Sequence, residues 1–296
     1  MNAKKDLLFI INPISGNHSA PSLCPKIYQA LDSRKFNITM SFTGAKGDGY
    51  LLAKKAVERQ VDYVVAVGGD GTVNEVASAL VHTSTALGII PNGSGDGLAR
   101  HLKIDSNVAQ AVNVINDEHV VSIDYCTAND VKFFCTFGMG FDALVSYTFS
   151  KAASRGFITY VEQVFKEYMN YKPEEYVIEC DGERIVSKSF LITCANASQW
   201  GNNAFIAPHA SVTDGLIDVM TMEPFGLMDA APIAFQLFTK NIDKHHSIKM
   251  YRGNSFTFHR KGGGIYHYDG EPIEMGDTVV VKNHRAGLKV LVPVYE

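Results

Sequence analysis

The stretch VVAVGGDGTVNEVASAL, Val64 to Leu80, decides how this chain folds. A β-branched apolar run stops at Gly68-Gly69-Asp70-Gly71, and a polar start, Thr72-Val73-Asn74-Glu75, opens an amphipathic run. The first run suits a strand buried on both faces and the second suits a helix. Glycines between them let backbone N–H groups approach a phosphate at the positive end of the helix. The ordinary alternative is a tight strand-to-helix turn with Asp70 as a cap. The stretch is neither a Walker A loop nor Gly-x-Gly-x-x-Gly.

Working outward, the first ~120 residues alternate strand and helix patterns, as a doubly wound parallel sheet requires. Strands are expected at Leu7–Ile11, Phe36–Phe42, Val61–Val67 and Leu87–Ile90. Helices are expected at Pro25–Leu31, Asp48–Arg59, Thr72–Leu80 and Asn107–Asn116. A second glycine-dense turn, Asn92-Gly93-Ser94-Gly95-Asp96-Gly97, follows the Leu87–Ile90 run. A small polar turn, Asn12-Pro13-Ile14-Ser15-Gly16-Asn17, ends the first strand. Ligands of open parallel sheets bind at the carboxyl ends of strands, where all three turns belong. Two glycine loops at consecutive strand ends resemble a polyphosphate cradle.

The pattern changes near Val120. Two strands surround a polar turn at Asn129-Asp130, and a helix is expected over Phe157–Tyr171. From Pro173 the chain is β-rich, with turns at Asp181-Gly182, Asp214-Gly215, Gly262–Gly264 and Asp269-Gly270 and one helix at Asp229–Phe238. The expectation is an α/β domain over residues 1–122 and a mainly antiparallel β-sandwich domain over 123–296. A return of the C-terminal segment to the first domain is left open. A cleft between two closely joined domains would be the natural site.

Composition bounds the function. The chain has 296 residues, 46% hydrophobic and 20% charged, with a formal net charge of −4. No global basic field draws it to nucleic acid. Five scattered cysteines without a Cys-x-x-Cys pair fit reduced thiols in a cytosolic protein. The N-terminal apolar run ends at Pro13, too short for a signal-peptide core, and no stretch reaches the ~18 apolar residues of a membrane span.

Taken in order, these pieces resemble the diacylglycerol kinase catalytic family, which includes bacterial lipid kinases, ceramide kinases and sphingosine kinases. The matching segments are Asn12-Pro13…Gly16, Gly68 to Val76, Pro91 to Asp96, Ile123-Asp124, Gly140-Phe141-Asp142-Ala143, Ala207-Pro208, Asp214 to Asp218 and Asp269-Gly270-Glu271. Gly-Gly-Asp-Gly-Thr is shared with NAD kinases, but the following Asn-Glu-Val favours the lipid-kinase branch. One departure is Asp96, where the family usually has Asn. It either helps hold Mg²⁺ or marks a changed substrate.

The resemblance implies ATP and Mg²⁺ as cofactors and a lipid hydroxyl as acceptor. It places nucleotide on Asn12, Thr43, Gly68, Gly69, Gly71, Thr72, Asn74, Glu75 and Ser94. Lys151 and Arg155 would serve as phosphate-binding cations. Glu271 or Asp70 would be the base; one of them could serve Mg²⁺ while the other takes the proton. Asp124 would join the catalytic charge network, with a surface turn as its alternative. Asp142 would meet the acceptor headgroup. A structural Mg²⁺ would map to Ser211, Asp214 and Leu216, against a plain β-turn at Asp214-Gly215. The substrate lies in a bilayer, so a cytoplasmic enzyme with peripheral contact at the inner membrane surface is expected; a homodimer is left open.

Other readings compete. Gly138-Met139-Gly140-Phe141-Asp142-Ala143 fits Gly-x-Gly-x-x-Ala, but mid-chain, where dehydrogenases do not place it. An NAD kinase-like enzyme is the nearest rival, and a catalytically lost lipid- or nucleotide-binding module is the third. His245-His246 is expected at the surface, since neighbours on a strand or helix point apart. Trp200 is either a lipid-facing loop aromatic or core. Glu223–Phe238 is apolar enough to touch a bilayer, with core packing the default.

Overall fold

The computed structural model describes residues 3–16, 20–151 and 167–294. Its contacts separate two compact units: Met1–Tyr125 with Arg285–Glu296, and Cys126–His284.

In the first unit, β1 (Lys5–Ile11), α1 (Ala20–Ala30), β2 (Phe36–Phe42), α2 (Asp48–Glu58), β3 (Tyr63–Gly68), α3 (Asp70–Leu80) and β4 (Ala86–Pro91) alternate as expected. The strands lie parallel in the order β2-β1-β3-β4. Every residue of β3 and β4 is buried, which is why these segments read as unbroken apolar runs. The short α4 (Gly97–His101) and α5 (Val108–Asp117) follow. Asn107 caps α5 by accepting N–H bonds from Ala109 and Gln110. α3 starts two residues earlier than expected. Its N-cap is Gly69, so Asp70 does not cap the helix.

The chain enters the second unit along β5 (Val120–Ala128). β6 (Val131–Phe133), β7 (Thr136–Gly140), α6 (Phe141–Lys151), β8 (Glu174–Cys180), β9 (Glu183–Ser189), β10 (Leu191–Ala195) and β11 (Ile217–Met222) come next. They are followed by α7 (Leu227–Phe238), a 3-10 turn at Ile242–Lys244, β12 (Ile248–Gly253), β13 (Ser255–Arg260), β14 (Gly264–Tyr268), β15 (Glu271–Met275) and β16 (Thr278–Leu291). One antiparallel sheet runs β12-β11-β10-β7-β14-β15, and the other runs β16-β13-β8-β9. Phe137, Met139 and Ile192 of the first meet Tyr176, Ile178, Phe256, Phe258 and Val281 of the second in one buried cluster, the core of a sandwich. Gly138 therefore lies in an antiparallel strand between β10 and β14 and not in a βαβ unit, which removes the dinucleotide-loop reading. Most of the helix expected at 157–171 falls outside the described residues.

Two features of the second unit differ from expectation. α7 buries only Ile233 fully and leaves Leu227, Met228, Phe235 and Phe238 exposed, so core packing does not account for its apolar face. His245 is buried, not at the surface: it follows a 3-10 turn, where the alternation of a strand does not apply. Trp200 packs against the second apolar cluster, around Phe190 and Met222, and so belongs with the core.

Candidate active site

In the first unit the sheet's hydrogen bonds run one step beyond the strands. The Thr43 N–H donates to Ile11 O (3.0 Å), Asn12 N–H to Val67 O (3.0 Å) and Asn92 N–H to Gly68 O (2.9 Å). The first residues of three loops, Thr43, Asn12 and Asn92, are thereby set at the carboxyl edge. Side chains then lock the loops together. Asn12 Nδ2 donates to Thr72 Oγ1 at 3.2 Å, and Asn92 Nδ2 donates to Ser15 O at 2.7 Å.

Asp70 supplies the strongest of these braces. Its two carboxylate oxygens accept the backbone N–H groups of Asp96 (2.8 Å) and Gly97 (2.7 Å), binding the first glycine loop to the second. A carboxylate among glycines is thus explained within the chain: an ionised acceptor holds two donors that a small loop would otherwise leave exposed. The glycines answer to contact as well. A Cβ on Gly93 would lie 2.6 Å from Gly69 Cα, and one on Gly68 would lie 2.5 Å from Thr72 Oγ1. Backbone touches backbone here because no side chain intervenes.

Asp96 and Glu75 also have work inside the fold. Both oxygens of buried Asp96 accept the Gly93 N–H at 3.0 Å, and Asp96 itself has φ of 51°. Burial pushes its carboxyl above the usual range, with the Gly93 N–H and Arg100 opposing. Asn, the usual family residue, also tolerates this left-handed backbone, so loop geometry gives Asp96 a place without a metal. Glu75 accepts the Gly47 N–H (2.7 Å) and Gly49 N–H (3.0 Å), fixing the loop that carries Thr43. Asp48, which sequence reasoning took only as a helix start, organises the same loop through the Gly44 and Ala45 N–H groups. Asn74 is buried on the first turns of α3, and Ser94 is exposed at the tip of the second loop. Asp124 is buried on β5 and accepts the Ala286 N–H at 2.7 Å, so it is no surface turn residue.

In the second unit Glu271 opens β15, half-buried, directly after the Asp269-Gly270 turn. The turn is real, but Asp269 does more than shape it. Its carboxylate accepts the N–H groups of Phe134, Cys135 and Thr136 at 2.8–3.1 Å, clamping the β14–β15 hairpin to the start of β7. Asp142, at the first turn of α6, accepts from Thr193 Oγ1 (2.8 Å) and lies 3.3 Å from His267 Nε2. His267 is buried on β14, and its Nδ1 lies 3.4 Å from the Gly270 N–H. A chain of contacts therefore runs from Asp142 through His267 to the residue before Glu271. A Cβ on Gly138 would fall 2.2 Å from both Asp142 Oδ2 and His267 Nε2, which is why that strand position is glycine. Sequence reasoning missed Thr193, His267 and the clamping role of Asp269; the only signal was the Asp-Gly dipeptide.

Ser211, Asp214 and Leu216 share the loop before β11. Asp214 Oδ1 accepts the Leu216 N–H at 3.0 Å, and Leu216 O accepts from Asn283 Nδ2 at 3.2 Å. Asp218, two residues on, is buried and held by both Arg252 Nε and Nη2. The side chain of Lys151 and the whole of Arg155 lie outside the described residues.

Two family models match the chain: the diacylglycerol kinase catalytic domain over residues 6–128, and the YegS C-terminal NAD kinase beta sandwich-like domain over residues 135–291. An uncharacterized protein of Synechocystis is 29% identical over 80% of this chain, which spans only 58% of that protein. The diacylglycerol kinase of Bacillus subtilis is 27% identical, with 81% of each chain covered. A lipid kinase YegS-like protein of Chromohalobacter salexigens is 31% identical over 64% of this chain. A crystal structure of a diacylglycerol kinase from Bacillus anthracis superposes with a TM-score of 0.74 over 98% of this chain and 97% of that one, at 20% identity, and so speaks for the fold. Two matched domains in family order, on an α/β unit and an antiparallel sandwich, place the chain in the diacylglycerol kinase-like family of lipid kinases.

Proposed function

We propose that the protein transfers the γ-phosphoryl group of ATP, with Mg²⁺, to a hydroxyl of a diacylglycerol-like or sphingoid-like lipid. Diacylglycerol is the first acceptor to test, because relatives carry that name. The observation that carries the reading is the set of glycine loops at the carboxyl edge of the parallel sheet, cross-braced by Asp70, Asn12 and Asn92. Their close backbone approach fits a polyphosphate, which is recognised by N–H groups and excluded by Cβ atoms.

In this reading Asn12, Thr43, Gly68, Gly69, Gly71, Thr72, Asn74 and Ser94 hold the nucleotide, and Lys151 and Arg155 add phosphate cations. Asp70, Glu75 and Asp96 shape the loops that do the holding. Mg²⁺ bound with the nucleotide would neutralise phosphoryl charge. A separate, structural Mg²⁺ would be held by the oxygen donors of Ser211, Asp214 and Leu216, which suit a hard cation. Glu271 accepts the proton of the acceptor hydroxyl, with Asp269 and His267 fixing its hairpin. Asp142 acts through His267, since its oxygens already take the Thr193 hydroxyl and the Ala143 N–H. Asp124 steadies β16 at Ala286 within the charge network.

No helix among the described residues is long and apolar enough to cross a membrane. The exposed side chains of Leu227, Met228, Phe235 and Phe238 on α7 support peripheral contact with the inner membrane surface. The test is phosphate transfer from labelled ATP with Mg²⁺ to vesicles carrying diacylglycerol, sphingoid base, ceramide or undecaprenol, with NAD alongside. A labelled lipid upholds the reading and names the acceptor. Label on NAD alone, or on nothing, overturns it.

A further inference from the structure

Outside the phosphoryl-transfer machinery, the second unit brings together three side chains that could ligate a metal. Asp229 lies in the first turn of α7, and His245 and His246 lie between the 3-10 turn and β12. One ligand atom from each falls within 4.8 Å of the others. They come from two segments of the chain, and Asp229 and His245 are held by hydrogen bonds. Asp229 Oδ2 accepts the Gly226 N–H at 3.2 Å, leaving Oδ1 for another partner. The two imidazoles lie 4.4 Å apart, tilted by 33°, so that adjacent residues present neighbouring rings on one side of the chain.

His245 is the telling member. It is only 7% exposed, yet it sits against a polar group: its Nδ1 lies 2.7 Å from Ser247 Oγ. Nδ1 also faces the Ser247 N–H at 3.3 Å, so a metal on Nε2 requires the tautomer with the proton on Nδ1, donated to the hydroxyl, in exchange for that long backbone bond. A metal-ligating histidine commonly has such an outer partner for its second nitrogen, which fixes tautomer and ring orientation.

We propose that Asp229, His245 and His246 bind a borderline divalent transition metal, Zn²⁺ being the natural probe. Two imidazoles and one carboxylate are a zinc donor set, with a fourth position left for water. Ligand atoms around tetrahedral Zn²⁺ lie about 3.3 Å apart, given bonds of about 2.0 Å. The three atoms must therefore close by up to about 1.5 Å, and His246, exposed, has room to turn. The bound ion would join the N-terminal turn of α7 to the segment leading into β12. The donor set differs in kind from the all-oxygen loop at Ser211–Leu216, so the two sites would select different cations.

The experiment is equilibrium dialysis of the full chain against Zn²⁺, with Co²⁺ absorption as a second readout of tetrahedral nitrogen and oxygen ligation. The variants are His246→Gln and Asp229→Asn, both at positions open enough to fold, and His259→Gln on β13 is the control. The proposal expects one Zn²⁺ per chain, tetrahedral Co²⁺ bands, at least tenfold weaker binding in either variant and no change in the control. It also expects Zn²⁺ to raise the melting temperature of the parent and not of the variants. Absence of stoichiometric binding overturns the proposal, and so does binding that His246→Gln and Asp229→Asn leave untouched.

Discussion

Replacing Asp70 by Asn tests whether the carboxylate braces the two glycine loops or serves the chemistry alone. In the structure its oxygens accept two backbone N–H groups, from Asp96 and Gly97, at 2.8 and 2.7 Å. Asn keeps one acceptor oxygen and turns an NH₂ toward the other donor. One N–H loses its partner, and the remaining bond loses its charge. A hydrogen bond to a charged group contributes about 1.5–3 kcal/mol, and an orphaned buried donor costs about 1–3 kcal/mol. We expect a local loss of about 2 kcal/mol, near the middle of both ranges. The second loop should then open about 30-fold more often, at 1.36 kcal/mol per factor of ten. The assay is hydrogen exchange on the peptide spanning residues 91–102, read together with urea unfolding and phosphate transfer. Faster exchange confined to this loop, with weakened ATP binding, is the expected result. Exchange and unfolding identical to the parent, with turnover abolished, would refute the brace and return Asp70 to direct catalysis.

Other outcomes follow from the same geometry. Glu271→Gln should reduce phosphate transfer by about 10²–10⁴ without moving the unfolding midpoint, whereas Asp269→Ala should lower stability, because three backbone N–H groups lose one acceptor. Equal midpoints for the two variants would contradict the division of labour between them. Gly138→Ala places a methyl 2.2 Å from both Asp142 Oδ2 and His267 Nε2; a cost of about 1–3 kcal/mol by thermal unfolding is expected, and a parent-like melting temperature would sink the argument. His101 at the end of α4 is held neutral by burial, its pKa lowered from 6.5 to about 4. Below pH 6.5 the unfolded chain takes up a proton that the folded chain refuses until about pH 4. Stability should therefore fall with pH across that window, by up to about 3 kcal/mol, and His101→Gln should flatten that part of the profile in urea titrations.

The parallel order of the first unit was legible because its strands are buried on both faces. Val64–Val67 and Leu87–Ile90 read as unbroken apolar runs, and the glycine turns after them mark the carboxyl edge. The antiparallel character of the second unit was legible from its Asp-Gly turns. The chemistry of the carboxylates was less so. Sequence order puts Asp70, Glu75, Asp96, Asp142 and Glu271 in family positions, but it does not reveal which oxygens already accept hydrogen bonds. Asp70 meets Asp96 across 26 positions, Glu75 meets Gly49 across 26, and Asp142 meets His267 across 125.

By itself, then, the sequence determined the fold class, the three loops at the strand ends and the family, because burial periodicity and glycine turns are local properties. The tertiary structure decided which carboxylates are bound to backbone N–H groups, that Gly138 makes room for His267 and Asp142, that α7 turns large apolar side chains outward, and that His245 is buried beside His246 and Asp229. These facts depend on pairings between distant segments. A hydrogen bond or a ring contact forms where the folded backbone brings two groups within about 3–5 Å, and no local pattern of residue types encodes that distance.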